Sequence, residues 1–108
     1  MTSVLEEIND LNFEAEVLGS KQPFLLDFSA TWCGPCKALQ PLLEGLLHEQ
    51  QGRLRIGKLD IDDSPAVAAR FGVRGAPTLV LFRDGRELSR KLGFANKQAL
   101  QQLTQAAL

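Results

Sequence analysis

The chain's two cysteines, Cys33 and Cys36, stand in "TWCGPCK" (residues 31–37), separated by a glycine and a proline. A thiol pair at this spacing has three chemical uses: half of a metal site, a structural staple, or a dithiol that is oxidised and reduced. A closed zinc site takes four ligands, and the single histidine, His48, is all that can be added to the two sulfurs. On the helix expected after the motif, His48 falls on a polar stripe, roughly 18 Å from Cys36 at about 1.5 Å per residue. It is out of reach. A staple across two intervening residues closes a very small loop and constrains the unfolded chain little. The redox use is the one that fits.

The neighbouring elements say how such a pair would be held. "PFLLDFS" (23–29) has the length and composition of a strand buried on both faces. The segment after the cysteines reads as a helix to about Gln51, closed by Gly52. The pair therefore lies where a buried strand hands over to a helix. At i and i+3 the two side chains share a face, at a Cα separation that a disulfide spans. Cys36 continues the stripe of Leu39, Leu43 and Leu47 and turns toward the core. Cys33 occupies the first turn, where unpaired backbone N–H groups and the helix dipole stabilise a thiolate. The expectation is an asymmetric pair, with Cys33 exposed and nucleophilic and Cys36 shielded and resolving.

Two charged residues bear on that pair. Asp27 interrupts "FLLDF", a costly place for an ionised carboxylate. Either it reaches solvent at the strand end, or it stays buried with a raised pKa, placed to accept the proton of Cys36. Its position six residues ahead of Cys33 favours the second. Lys58, in "LRIGKL", shares strand parity with Leu54 and Ile56. It either lies beneath the site and couples to Asp27, or packs its stem and sends its ammonium to water.

The remaining elements follow from periodicity and capping. "VLEEI" (4–8) is a short strand, and Asn9 caps a helix through about Leu18, with Phe13, Val17 and Leu18 as its apolar side and Gly19 as its end. In the helix after the cysteines, Lys37, Gln40, Glu44 and His48 form the polar stripe, and Pro41 is expected to kink it. "LRIGKLDI" (54–61) completes a βαβ unit whose crossover is right-handed. Ser64 and Pro65 open a short helix, with a capping hydroxyl and a proline at the first position, ending near Phe71–Gly72. "TLVLF" (78–82) and "ELSRKL" (87–92) flank the hairpin turn at Asp84-Gly85, the second strand alternating as an edge strand does. Asn96 caps a last helix with Leu100, Leu103 and Ala107 on its inner stripe. The order β-α-β-α-β-α-β-β-α gives an α/β fold: one domain over residues 1–108, with a mixed, mostly buried sheet and helices on both faces.

Bulk properties remove several function classes. With a net charge of -1 and both signs interspersed, no basic surface for nucleic acid or anionic membrane is expected. No apolar run approaches the roughly 18 residues of a membrane span. "MTSVLEEIND" carries Glu6 and Glu7 where a secretory leader has a basic region and an apolar stretch, so a cytoplasmic location is expected. Permanent structural disulfides are uncommon in that compartment, which again favours a working dithiol.

In "DFSATWCGPCK", with "RGAPT" (74–78) and "LGF" (92–94), the chain resembles the thioredoxin family over essentially its whole length. The resemblance implies a thioredoxin fold, with about five strands flanked by about four helices. It implies a protein-disulfide reductase in which Cys33 attacks a client's disulfide and Cys36 resolves the mixed disulfide. Asp27 and Lys58 match the family's buried pair that assists proton transfer at Cys36. Pro77 matches its cis-proline, and Ala76 would offer backbone hydrogen bonds to an extended substrate segment. Trp32, Gly34, Pro35, Ala76, Pro77, Gly93 and, less firmly tied to the motif, Phe94 would form the docking surface. The resemblance further implies a monomer that binds neither metal nor cofactor and serves disulfide-containing client proteins. Its electron donor would be an NADPH-dependent, flavin-containing thioredoxin reductase. No G-x-G-x-x-G occurs here, so NADPH chemistry belongs to that other protein. Ser29 stands where many bacterial members carry tryptophan, and Ala76 where isoleucine is common.

Overall fold

The computed structural model describes residues 4–108. Its five strands, β1 (Glu6–Glu7), β2 (Phe24–Ser29), β3 (Arg55–Asp60), β4 (Thr78–Arg83) and β5 (Arg86–Leu92), form one sheet in the order β1-β3-β2-β4-β5. β2 runs parallel to β3, which is parallel to β1, whereas β4 is antiparallel to both β2 and β5. The most apolar segment, "FLLDFS", thus takes the central place, paired on both edges and buried on both faces. This is the mixed, α/β arrangement expected from the element order.

Strand alternation divides the core in two. Leu25 on β2 packs with Ile56, Leu79 and Leu81 against α1 (Gly34–Glu49) and α3 (Lys97–Gln105), through Leu39, Leu43, Leu46 and Leu100. Phe24, Leu26 and Phe28 face the other way. They pack with Phe13, Val17, Val80, Phe82 and Val67, the last from α2 (Pro65–Arg70). Asp27 has the parity of Leu25 and so lies on the α1 side.

Two local expectations are corrected. Asn9 caps the segment after β1 as expected, its carbonyl accepting from Phe13 N at 3.1 Å, but the segment does not continue as a regular α-helix. Asn9 Oδ1 accepts from the backbone N–H of Leu11 and Asn12, at 2.8 and 3.0 Å, and makes a tight turn. The chain then winds as a π-helical turn over Glu14–Leu18, closed by Gly19 N–H donating to Glu14 O at 2.9 Å. Gly19 keeps an ordinary φ of -83°. Its glycine is needed for space, because a Cβ there would fall 2.5 Å from the Ala15 carbonyl oxygen. Ser64 does not cap α2 with its own hydroxyl. The Asp10 carboxylate takes that role, accepting from Ala66 N at 3.1 Å and Val67 N at 2.9 Å, while Ser64 Oγ accepts from Asp10 N at 3.3 Å. A carboxylate supplies two acceptors and a negative charge to the helix start, which a hydroxyl cannot match.

The hairpin turn, the cap of the last helix and the glycine beyond α1 act as read. Asp84 and Gly85 both have positive φ, 53° and 79°, as a two-residue I′ hairpin requires. Asn96 Oδ1 accepts from Ala99 N at 2.9 Å. α1 runs on through Pro41, and Gly52 beyond its end takes φ 81°.

Candidate active site

The first turn of α1 is built by its own cysteine. Cys33 is the N-cap, with extended backbone (φ -99°, ψ 107°), and Cys33 N donates back to Ala30 O at 3.3 Å. Gly34 and Pro35 fill the first two helical positions, where a missing N–H costs nothing. Cys33 Sγ accepts from the Cys36 backbone N–H at 3.1 Å, so this sulfur occupies the place of a capping oxygen. The two cysteines are joined as a disulfide, their Cα atoms 5.3 Å apart.

The expected difference in exposure is not found. Cys33 and Cys36 are 3% and 4% exposed, and both pack with Ala30 against Ile61 and Ala76. The bond to Cys36 and the flanking side chains cover Cys33 in this oxidised form. The asymmetry lies in polarity instead. Among the described residues only Cys33 Sγ receives a helix N–H, which lowers the energy of a thiolate there. Cys36 lines a cleft of about 670 Å3 shared with Ser29, Gln40 and Lys58.

Asp27 is buried, and its Oδ1 has no hydrogen-bond partner among the described residues. Burial pushes its carboxyl up to about 7, with the positive charge of Lys58 pulling the other way and losing. Lys58 is its register partner on β3. The Lys58 ammonium nonetheless donates to Gln40 Oε1, at 3.3 Å, rather than to the Asp27 oxygen that lacks a partner. Of the two roles open to Lys58, the structure shows coupling to Asp27 through charge, with the ammonium itself in the cleft. Gln40, one helical turn beyond Cys36, was legible only as part of a polar stripe. The i+4 spacing from Cys36 was the available signal.

Around the disulfide the expected docking residues have distinct settings. Trp32 is 65% exposed, and its Nε1 donates to Asp62 Oδ2 at 2.7 Å. Asp62 is held by a turn in which Asp60 Oδ1 accepts from Asp62 N and Asp63 N, at 2.9 and 3.3 Å. Sequence reasoning missed Asp62, although "DIDD" directly after β3 is the composition of such a turn. The Ala76–Pro77 bond is cis, as the family resemblance implied. Pro77 is buried, and Thr78 Oγ1 braces the loop by donating to Gly75 O at 2.8 Å. Gly93, at φ 82°, donates its N–H to Pro77 O at 2.8 Å. That bond ties the 92–94 segment, with half-exposed Phe94, to the cis-proline loop. Among the described residues no helix is long and apolar enough to cross a membrane.

Comparisons with known proteins agree with this geometry. A family model described as Thioredoxin matches residues 4–106. The thioredoxin of Haemophilus influenzae is 45% identical over 100 residues, covering 93% of this chain and 92% of that protein. The thioredoxin of Mycobacterium bovis is 45% identical over 94 residues, covering 87% and 81%. A bifunctional thioredoxin reductase/thioredoxin of Mycobacterium leprae is 46% identical over 94 residues, of which this chain spans 20%.

Proposed function

The chain belongs to the thioredoxin family and is a protein thiol–disulfide oxidoreductase, and from that premise we propose that it works as a reductase in which Cys33 attacks and Cys36 resolves. The Cys33 thiolate attacks one sulfur of a client disulfide and expels the other as a thiolate, forming a mixed disulfide. Cys36 then gives its proton to Asp27 and attacks Cys33 Sγ, releasing the client's second thiolate. Two electrons pass to the client disulfide, its sulfurs take up two protons, and the Cys33–Cys36 disulfide is left. Trp32, Gly34, Pro35, Ala76, Pro77 and Gly93 receive the client segment, and Lys58 biases the charge at Asp27.

The observation that carries the direction of attack is the hydrogen bond from Cys36 N to Cys33 Sγ. A sulfur that caps a helix is the better thiolate, and the thiolate is the nucleophile. The raised carboxyl of Asp27 supports the proton step, because a base near 7 both takes and returns a proton at neutral pH. The protein would work in the cytoplasm, as an electron carrier between an NADPH-dependent flavin reductase and its clients. The fused relative, named for a thioredoxin reductase and a thioredoxin together, supports a thioredoxin reductase as donor.

Equilibration with a glutathione buffer tests the direction. A potential more reducing than the buffer's, with catalytic NADPH consumption when a thioredoxin reductase and a protein disulfide are supplied, is the expected result. A strongly oxidising potential would make the chain an oxidase instead.

A further inference from the structure

We propose that Gln40 is a positioning residue for the proton step: it holds the Lys58 ammonium in the cleft and so keeps that cation off the Asp27 carboxyl. The inference rests on the reading that Asp27 takes the proton of Cys36.

Register alone brings Lys58 and Asp27 together, since they are direct partners on the parallel strands β3 and β2. Their side chains share the α1 face of the sheet. An opposite charge within about 4–6 Å lowers a carboxyl by roughly one to three units. A lysine free to fold over Asp27 would therefore hold it ionised at neutral pH, and an ionised carboxylate surrounded by cation is a poor base for a thiol. The structure shows a different arrangement. Lys58 Nζ donates to Gln40 Oε1 at 3.3 Å, and Asp27 Oδ1 stays without a hydrogen-bond partner. Gln40 is itself oriented, because its Nε2 donates to Glu44 Oε2 at 3.4 Å, one turn further along α1. The two contacts use the acceptor end of the amide for Lys58 and the donor end for Glu44, so one amide orientation serves both.

The site is also well placed in the chain. Gln40 follows Cys36 by one turn, so the helix that presents the resolving sulfur also carries the group that restrains the cation. The charges facing this region are Lys58 and Asp60 from β3, Glu7 from β1, Lys37 and Glu44 from α1, and Asp63 beyond β3. β4 places Leu79 beside Asp27 and contributes no charge. Among these groups Lys58 is the one whose charge acts on Asp27. Moving its ammonium is thus the most direct way to move the carboxyl's titration.

The test is a carboxyl-carbon NMR titration of Asp27 in the disulfide form, where no thiol titrates alongside it. Gln40→Ala frees Lys58 and lowers the Asp27 midpoint by about one pH unit, the lower end of the range for a nearby opposite charge. Gln40→Glu anchors Lys58 more firmly, adds a negative charge, and raises the midpoint. Opposite signs from one position are not what a loosened structure produces. In a Lys58→Met background, Gln40→Ala leaves the midpoint where Lys58→Met alone puts it, since the two then act through one group. An unmoved or raised midpoint in Gln40→Ala, or a shift of the same size without Lys58, would overturn the proposal. Turnover against pH is measured on the same variants. If the NMR midpoint moves and the turnover profile does not follow, Gln40 still positions Lys58, and it is the proton role of Asp27 that fails.

Discussion

The two faces of the central sheet are packed from the same strands with different materials. On the face away from α1, Phe13, Phe71 and Phe82 meet edge to face, with centroids 5.2–5.6 Å apart, and Phe24 and Phe28 complete a closed aromatic core. On the α1 face, leucines fill the centre, but toward the C-terminal end of β2 the packing gives way to Asp27, Ser29 and the open cleft under Cys36. Aromatic edge-to-face packing fixes geometry without polar atoms. The proposed mechanism uses a buried carboxyl, two sulfurs and a lysine, and burying the carboxyl with an unpaired oxygen raises the energy of the fold locally. One face is built for stability, the other gives up stability at one end to hold a buried carboxyl.

Substitutions can be ordered by how hard they press on that division. Cys33→Ser carries the largest effect: disulfide-reductase turnover falls to the uncatalysed background, while the thermal midpoint of the reduced protein stays close to that of the parent. A variant that kept turnover would remove the sulfur from the mechanism. Phe82→Ala, on the other face, does the reverse. Loss of a buried phenylalanine costs about 3–5 kcal/mol in denaturant unfolding, with turnover per folded molecule unchanged.

Asp27→Asn bears on both properties at once. The native carboxyl keeps its proton up to about 7, against an ordinary aspartate value of 3.8. Between those values the native state binds more protons than the unfolded one, so Asp27 costs increasing stability as pH rises through that window and most above it. At about 1.36 kcal/mol per unit, the asparagine variant gains up to about 4 kcal/mol over the parent at pH 8 and nothing at pH 3. Turnover near neutral pH falls at the same time. A variant no more stable at pH 8 than its parent would mean that the α1 face carries no such burden. The smallest effect belongs to Asp10→Ala, which removes the cap of α2 and costs about 1 kcal/mol. Turnover per folded molecule should not change.

What the sequence made legible follows the same division. The element order, the burial of β2, the hairpin at Asp84-Gly85 and the cap at Asn96 all rest on local chemistry, and local chemistry is what a linear reading sees. The cap on α2 was assigned to Ser64 because only neighbours are visible along the chain. The acceptor comes from Asp10, 56 residues before the Ala66 N–H that it receives. The π-helical turn at Glu14–Leu18 was missed for a related reason: its hydrophobic spacing is helical, and the extra residue shows only once Gly19 closes on Glu14. In the site, the pairing of Cys33 with Cys36 and the burial of Asp27 were legible from spacing and from one charged residue in an apolar strand. Asp62 and Gln40 were not, since each acts through a contact to another element, Trp32 and Lys58 respectively. The exposure of Cys33 was overestimated because helix position predicts polarity better than it predicts cover. Ala30, Ile61 and Ala76 supply that cover from other segments.

The division of labour between the two sulfurs is the claim on which the mechanism depends. Reduced Cys36→Ser is mixed with a protein disulfide, the products are separated without thiols, and intact mass and peptide mapping locate the adduct. The expected product is a one-to-one mixed disulfide on Cys33, with none from the Cys33→Ser variant under the same conditions. An adduct on Cys36 of Cys33→Ser, with none on Cys33 of Cys36→Ser, would contradict that division.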